Sequence, residues 1–157
     1  MKIKAILMDV DGVLTDGGIV YCSAGIELKS FDVKDGYGIS LAQQQGMILG
    51  IITGRASEIV LRRAHELGIT EIYQGAIDKR SSYEEFKQSH SLKDEEIAYM
   101  GDDMLDLPVL QSVGFAAAPQ NAHPAVKMAV HYITKAEGGK GAVREMIDMI
   151  LSVQEKS

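Results

Sequence analysis

Four short clusters in this chain bring together carboxylates, a hydroxyl, exposed backbone amides and a lysine. The first is Asp9-Val10-Asp11-Gly12-Val13-Leu14-Thr15, where two acids flank one apolar residue at the end of an apolar run. Two like charges projecting into one crevice are unstable unless a cation joins them. The second, Thr53-Gly54, sets a hydroxyl and open N–H groups just ahead of a helix start, a natural cradle for phosphate oxygens. The third, Asp78-Lys79, supplies a cation that could neutralise such oxygens. The fourth, Gly101-Asp102-Asp103-x-x-Asp106, crowds three carboxylates behind another apolar run. Such crowding is unfavourable without Mg²⁺, which takes oxygen ligands including one or two carboxylates. Taken singly, Thr-Gly is ordinary turn chemistry, a loop lysine is usually solvated, and acids can line a wet edge or hold a structural ion. Their recurrence at successive strand ends favours the chemical reading. A calcium loop starting at Asp9 is excluded, because its required glycine and glutamate positions hold Leu14 and Val20.

For the clusters to converge, they must lie along one edge of one sheet. Apolar runs at residues 3–8, 47–52, 71–73, 97–100, 113–118 and 130–133 read as strands. Helical stretches alternate with them: 35–45, 57–67 with Ser57 as its cap, a capping box at Ser81 or Ser82 leading to His90, 106–112, 123–128, and an amphipathic C-terminal helix. This alternation predicts an α/β fold with a doubly wound, mainly parallel sheet and ligands beyond the strands' carboxyl ends. One β-hairpin, at about residues 17–32, interrupts the rhythm, with Ile19-Val20-Tyr21 and Ile26-Glu27-Leu28-Lys29-Ser30-Phe31 joined through Ser23-Ala24-Gly25. It lacks a helix of its own to pack on, so it is a candidate for subunit contact, the alternative being a flap on its own domain. Residues 93–96 read as a solvated helical turn.

A chain of 157 residues fits one domain over 1–157, with a C-terminal tail from about 136. A net charge of -6 argues against nucleic acid or an anionic membrane as partner, and the apolar stretches are too short to span a bilayer. Lone Cys22 cannot form an internal disulfide, suits a reducing cytoplasm, and is expected as a small apolar filler. His65, His90, His123 and His131 lack metal-ligand spacing.

In the order Asp-x-Asp, Thr, Lys, Gly-Asp-Asp-x-x-Asp, the clusters resemble the four motifs of the haloacid dehalogenase superfamily of phosphohydrolases, over essentially the whole chain. The resemblance implies that Asp9 is the nucleophile that becomes an aspartyl-phosphate. Asp11 is implied as general acid and then base, while Thr53, Gly54 and Lys79 hold the phosphoryl group. It implies Mg²⁺ between the Asp9 carboxylate, the Asp11 carbonyl, Asp102 and waters, with Asp103 and Asp106 as outer or alternative ligands. The gap after the first motif holds only the hairpin, and 55–78 only a helix, a strand and turns, so no cap domain is expected.

Phe31-Asp32-Val33-Lys34-Asp35-Gly36-Tyr37-Gly38, Thr53-Gly54-Arg55, Arg62-Arg63 and Gly138-Gly139-x-Gly141-Ala142-Val143-Arg144-Glu145 extend the match. These stretches are similar to the 3-deoxy-D-manno-octulosonate 8-phosphate phosphatases, which serve lipopolysaccharide biosynthesis. In that family four subunits assemble through their hairpins and a neighbour covers each active site. The resemblance therefore implies a homotetramer acting on a sugar phosphate. Val33 would be contributed across the interface, Arg55 and Arg63 would meet the sugar acid's carboxylate, and the tail would fold over a neighbouring site. A sister group acting on a nine-carbon keto acid phosphate carries glutamate at the place of Arg55 and lysine at that of Glu66, which favours the eight-carbon substrate here. Two other classes compete. A receiver domain needs its phosphorylated aspartate at a middle strand end, where Thr53-Gly54-Arg55 stands instead. A catalytically silent partner of a sugar-nucleotide synthetase is disfavoured by the intact set Asp9, Asp11, Thr53, Lys79 and Asp102.

Overall fold

The computed structural model describes residues 2–155. In chain order its elements are β1 (Ala5–Met8), β2 (Val20–Tyr21), β3 (Glu27–Leu28), α1 (Val33–Gln44), β4 (Ile48–Ile52), α2 (Glu58–Glu66) and β5 (Glu71–Tyr73). There follow α3 (Lys79–Ser89), β6 (Ile97–Met100), α4 (Leu107–Leu110), β7 (Phe115–Ala118), α5 (Pro124–Lys127), β8 (Tyr132–Ile133) and α6 (Ala142–Glu155). Six strands form one parallel sheet in the order β5-β4-β1-β6-β7-β8, while β2 and β3 pair antiparallel in a separate hairpin. The chain winds outward from β1 through β4 and β5, then returns to the other side of β1 for β6. The winding direction reverses between β1 and β6, and that switch point is where doubly wound sheets open a crevice.

The central strands β1 and β6 are buried along their whole length, as continuous apolar runs flanked by helices on both faces require. Side chains alternate between the two faces. Ile6, Met8, Ala98 and Met100 pack with Ile39 of α1, Val60 of α2 and Met146 of α6. Ala5, Leu7, Ile97 and Tyr99 pack with Tyr83 and Phe86 of α3 and Val109 of α4. Each large side chain so buried stabilises the sheet by about 1.5–3 kcal/mol, which fixes the strand ends that carry the polar clusters. Among the described residues, no helix is long and apolar enough to cross a membrane.

The doubly wound expectation holds, and several local expectations do not. Helix α1 starts at Val33 rather than Asp35, because the Asp32 carboxylate accepts from the N–H groups of Lys34 and Asp35. Asp35 is instead buried and accepts the Arg144 N–H at 2.9 Å, capping the first turn of α6 from another helix. Helix α3 starts at Lys79 with Asp78 as its cap, so Ser81 and Ser82 lie inside it and form no capping box. Ser57 holds the cap position of α2 but its side chain makes no cap bond; its N–H instead goes to Gln74 Oε1. Cys22 is half-buried in the hairpin and fills no core. The turn Asp94–Glu96 is anchored, since Asp94 accepts from Tyr83 Oη and Lys87 Nζ.

The C-terminal segment closes on its own chain. Gly139 donates to the Val13 carbonyl at 3.1 Å and Gly138 to Asn121 Oδ1 at 3.1 Å. The buried face of α6 lies against α1, which ties the helix over residues 142–155 to its own core. A Cβ on Gly138 would stand 1.9 Å from the Gly12 carbonyl oxygen, so only glycine lets this segment lie against the loop after β1. Gly138→Ala is expected to lower the unfolding free energy by about 1–3 kcal/mol, as overpacking against backbone does. Urea unfolding midpoints at constant slope would measure it.

Candidate active site

The loops after β1, β4 and β6 and the first turn of α3 enclose an open cavity of about 310 Å³ at the switch point. Asp9, Asp11, Thr53, Gly54, Arg55, Lys79, Asp102, Asp103 and Asp106 all line it, joining the four sequence clusters in one place. The loop after β1 is shaped by its own backbone. The Val10 carbonyl accepts from the N–H groups of Val13, Leu14 and Thr15, and Thr15 Oγ1 accepts from Gly12 and Gly17, each at 3.2 Å. Gly12 has φ 84°, and a Cβ there would lie 1.8 Å from Asp102 Oδ2. Glycine at this position is what allows the Asp102 carboxylate to approach the loop.

Lys79 binds the acids together. Its Nζ, on a side chain only 3% exposed, lies 2.9 Å from Asp9 Oδ2 and 2.7 Å from Asp106 Oδ1. Asp106 is fully buried and its acceptor capacity is taken up. Oδ1 accepts from Lys79 Nζ and from Tyr99 Oη at 2.6 Å, and Oδ2 from the Asp102 and Asp103 N–H groups at 3.0 and 3.2 Å. Burial opposes the charge on Lys79, but Asp9 and Asp106 outweigh it and hold the amine above its ordinary range.

One ammonium does not balance the acids. Burial pushes Asp9 up to about 6, with Asp106 adding to the effect and Lys79 opposing it. Burial, followed by repulsion from Asp9, Asp106 and Asp103, raises Asp102 to about 7. Carboxyl oxygens of Asp9, Asp102 and Asp106 all lie within 4.8 Å of one another. A hard divalent cation fits such a donor set, since it would supply the missing charge and accept oxygen ligands. With Asp106 committed to four hydrogen bonds, Asp9 and Asp102 are the acids with oxygens to give.

The other predicted site residues are placed differently. The Asp11 side chain stands outside the trio, its Oδ1 ion-paired with Lys29 Nζ at 2.7 Å. Asp103 is exposed and caps the turn Met104–Asp106, accepting the Met104 N–H, so its carboxylate is not in the trio either. Arg55 sits at the rim, with Nη2 3.1 Å from Glu27 Oε2. Arg63 does not line the cavity: its guanidinium lies over the Phe31 ring at 5.6 Å and 3.7 Å from Glu66, because this face of α2 packs on α1. Val33 is 83% exposed at the start of α1, away from the cavity of its own chain.

Three residues at the site were not singled out from the sequence. Tyr99 reads as one more apolar strand residue, and only its hydroxyl reaching Asp106 reveals another role. Glu27 and Lys29 read as an ordinary hairpin arm. Their one legible signal is charge on alternate positions around Leu28, which gives the arm a polar face.

Comparison with known proteins agrees with this geometry. The haloacid dehalogenase-like hydrolase family matches residues 64–147. The chain is 44% identical over 155 residues to the 3-deoxy-D-manno-octulosonate 8-phosphate phosphatase of Yersinia pestis, covering 99% of this chain and 83% of that one. The crystal structure of the Yersinia pestis phosphatase superposes with a TM-score of 0.96, over 98% of this chain and 83% of that one. The Moraxella catarrhalis phosphatase, solved in complex with a magnesium ion, a phosphate ion and a KDO molecule, gives a TM-score of 0.95 at 44% identity, over 98% of this chain and 88% of that one. By its fold, its strand-end acids and these similarities, the chain belongs to the haloacid dehalogenase-like hydrolases, in the family of the 3-deoxy-D-manno-octulosonate 8-phosphate phosphatases.

Proposed function

We propose that this protein is a magnesium-dependent phosphatase of a keto sugar acid phosphate, 3-deoxy-D-manno-octulosonate 8-phosphate, working through an aspartyl-phosphate on Asp9. The observation that carries the reading is the Lys79 ammonium fixed between Asp9 and Asp106 and facing Thr53 across a cavity that is short of positive charge. A phosphate monoester and a carboxylate repel each other, so the chain must position the two and neutralise them. When bound, magnesium supplies charge that lets the two anions approach, held by Asp9 and Asp102 with the Asp11 carbonyl.

Asp9 attacks phosphorus, and the ester oxygen leaves with a proton from Asp11. Asp11 then takes a proton from water, which attacks the same phosphorus, releasing phosphate and restoring Asp9. The Thr53 hydroxyl and Gly54 N–H hold the transferring oxygens, and Lys79 spans nucleophile and phosphoryl group. Asp106 acts one step back, holding Lys79 and the backbone of Asp102. Arg55 lines the rim of the cavity; in this reading it would meet the substrate's carboxylate, in favour of the eight-carbon acid over its nine-carbon counterpart. Phosphate release from a panel of sugar phosphates is expected to be fastest with the eight-carbon acid, to need Mg²⁺, and to vanish in a folded Asp9→Asn protein. Equal kcat/KM on the nine-carbon acid would remove the substrate assignment and leave the chemistry.

The charge-deficient site also sets a pH dependence. Asp9 at about 6 and Asp102 at about 7 lie above the ordinary 3.8, so the native state binds more protons than the unfolded chain between these values. Stability therefore falls as pH rises through that window. Acids held below their ordinary 3.8 and 4.5, such as Asp94 and Glu145, act only at the acid end of this window and beneath it. Without metal, the thermal midpoint is expected to be higher near pH ~5.5 than near pH ~8, with Mg²⁺ at the higher pH recovering most of the difference. Asp35, at about 6, adds a part that metal does not remove. A midpoint in chelator that climbs across the same range would overturn the unbalanced cluster.

The assembly belongs to the same proposal. Ile19, Val20, Tyr21, Ile26 and Leu28 are each more than half exposed on one small hairpin, an apolar patch that suits burial against other copies of the chain. A homotetramer joined through these hairpins would bring each subunit's Val33 to a neighbour's cavity. Light scattering is expected to give four subunits for the native chain and one for a Val20→Asp, Leu28→Asp protein; a native monomer would refute it.

A further inference from the structure

The inner face of the hairpin carries charge. Leu28 points outward and is 52% exposed, whereas its neighbours Glu27 and Lys29 turn toward Arg55 and Asp11, which line the cavity. The Lys29 side chain is only 2% exposed, with Nζ 2.7 Å from Asp11 Oδ1 and 2.9 Å from Glu27 Oε1. Glu27 Oε2 in turn meets the Arg55 guanidinium at 3.1 Å. The result is an alternating row, Asp11–Lys29–Glu27–Arg55, that runs from the general acid to the rim. Drying an ammonium to this extent is costly unless its partners compensate fully. A hairpin needing only a solubilising lysine would leave it in water, as long basic side chains otherwise do.

We propose that Lys29 is a positioning residue, which fixes the Asp11 carboxyl for proton transfer to the leaving oxygen and makes the hairpin a working wall of the active site. A carboxyl group turns easily about its terminal torsion, which is broad and two-fold. Pinning Oδ1 to Lys29 ends that freedom and leaves Oδ2 as the oxygen that carries the transferable proton. The positive charge of Lys29 is matched by Glu27, so the row holds Asp11 in place without a net charge of its own. This rests on the phosphatase chemistry above, in which the phosphorus–oxygen ester bond breaks and the departing alkoxide takes the proton from Asp11.

The test compares two leaving groups. A sugar phosphate releases an alkoxide that needs a proton, whereas p-nitrophenyl phosphate releases a phenolate that does not. The ratio of kcat/KM for the two substrates reads the steps up to departure of the leaving group and cancels any loss of folded protein. Lys29→Met is expected to lower that ratio by about tenfold or more, within the range that positioned acid catalysis contributes. Asp11→Asn should lower it at least as far, and Lys29→Arg, which keeps the charge, should restore most of it. Should the methionine variant not fold, Lys29→Gln takes its place, with the same fall expected. Equal losses on both substrates would make Lys29 a mere staple of the hairpin and overturn the proposal. An Asp11→Asn protein with an unaltered ratio would remove the acid itself and the proposal with it, whereas a native protein inactive on both substrates would refute the phosphatase reading.

Discussion

A surplus of negative charge at one sheet edge governs this molecule. Asp9 follows β1, Asp102 follows β6, and the two strands are neighbours only because the winding direction reverses between them. Apolar packing on both faces of the sheet holds the strand ends, so the carboxylates cannot move apart to relieve their repulsion. One buried lysine offsets part of the charge. The remainder is a standing demand for a cation, and an anionic ester becomes an acceptable guest only after that demand is met. The site is thus prepared by its own instability, at the expense of the metal-free fold.

Asp106 shows how the arrangement is kept in order. It is the most deeply buried acid of the cluster, and its partners are an ammonium, a phenol and two backbone amides. Four donors of three kinds, from α3, β6 and the loop beyond it, are joined through this one side chain. It orients the lysine that lines the cavity and the backbone that presents Asp102. An acid of this sort resembles a ligand in sequence and acts as a joint in the structure.

The chemistry was legible in the sequence to the extent that it sits on β1, β4, α3 and β6, where short motifs at strand ends have one geometric meaning. Asp9, Asp11, Thr53, Lys79 and Asp102 converge as their spacing implied. What escaped depends on contacts between segments far apart in the chain. Asp35 reads as a helix-opening acid, yet it caps α6 across 109 residues of sequence. Arg63 reads as a free cation near the site, but its helix face is taken by Phe31 and α1. The charged face of the hairpin was hidden because two charges around a leucine are common in any solvated arm; only burial distinguishes this pair. The capping box at Ser81 or Ser82 lost to Asp78, whose cap begins the helix early enough to put Lys79 in its first turn.

The hairpin is held by very few residues. Its arms pair over only Val20 with Leu28 and Tyr21 with Glu27. In a strand, sliding by a single position exchanges the two faces. A slip of that size here would bring Leu28 to the side of Asp11 and turn Glu27 and Lys29 out to solvent, breaking up the apolar patch and the ion pair with Asp11 in one movement. The length of the Cys22–Ile26 turn is therefore under a parity constraint: changes that preserve which side each residue faces are tolerable, and those that invert it disrupt the exposed apolar residues and the Lys29–Asp11 pair together.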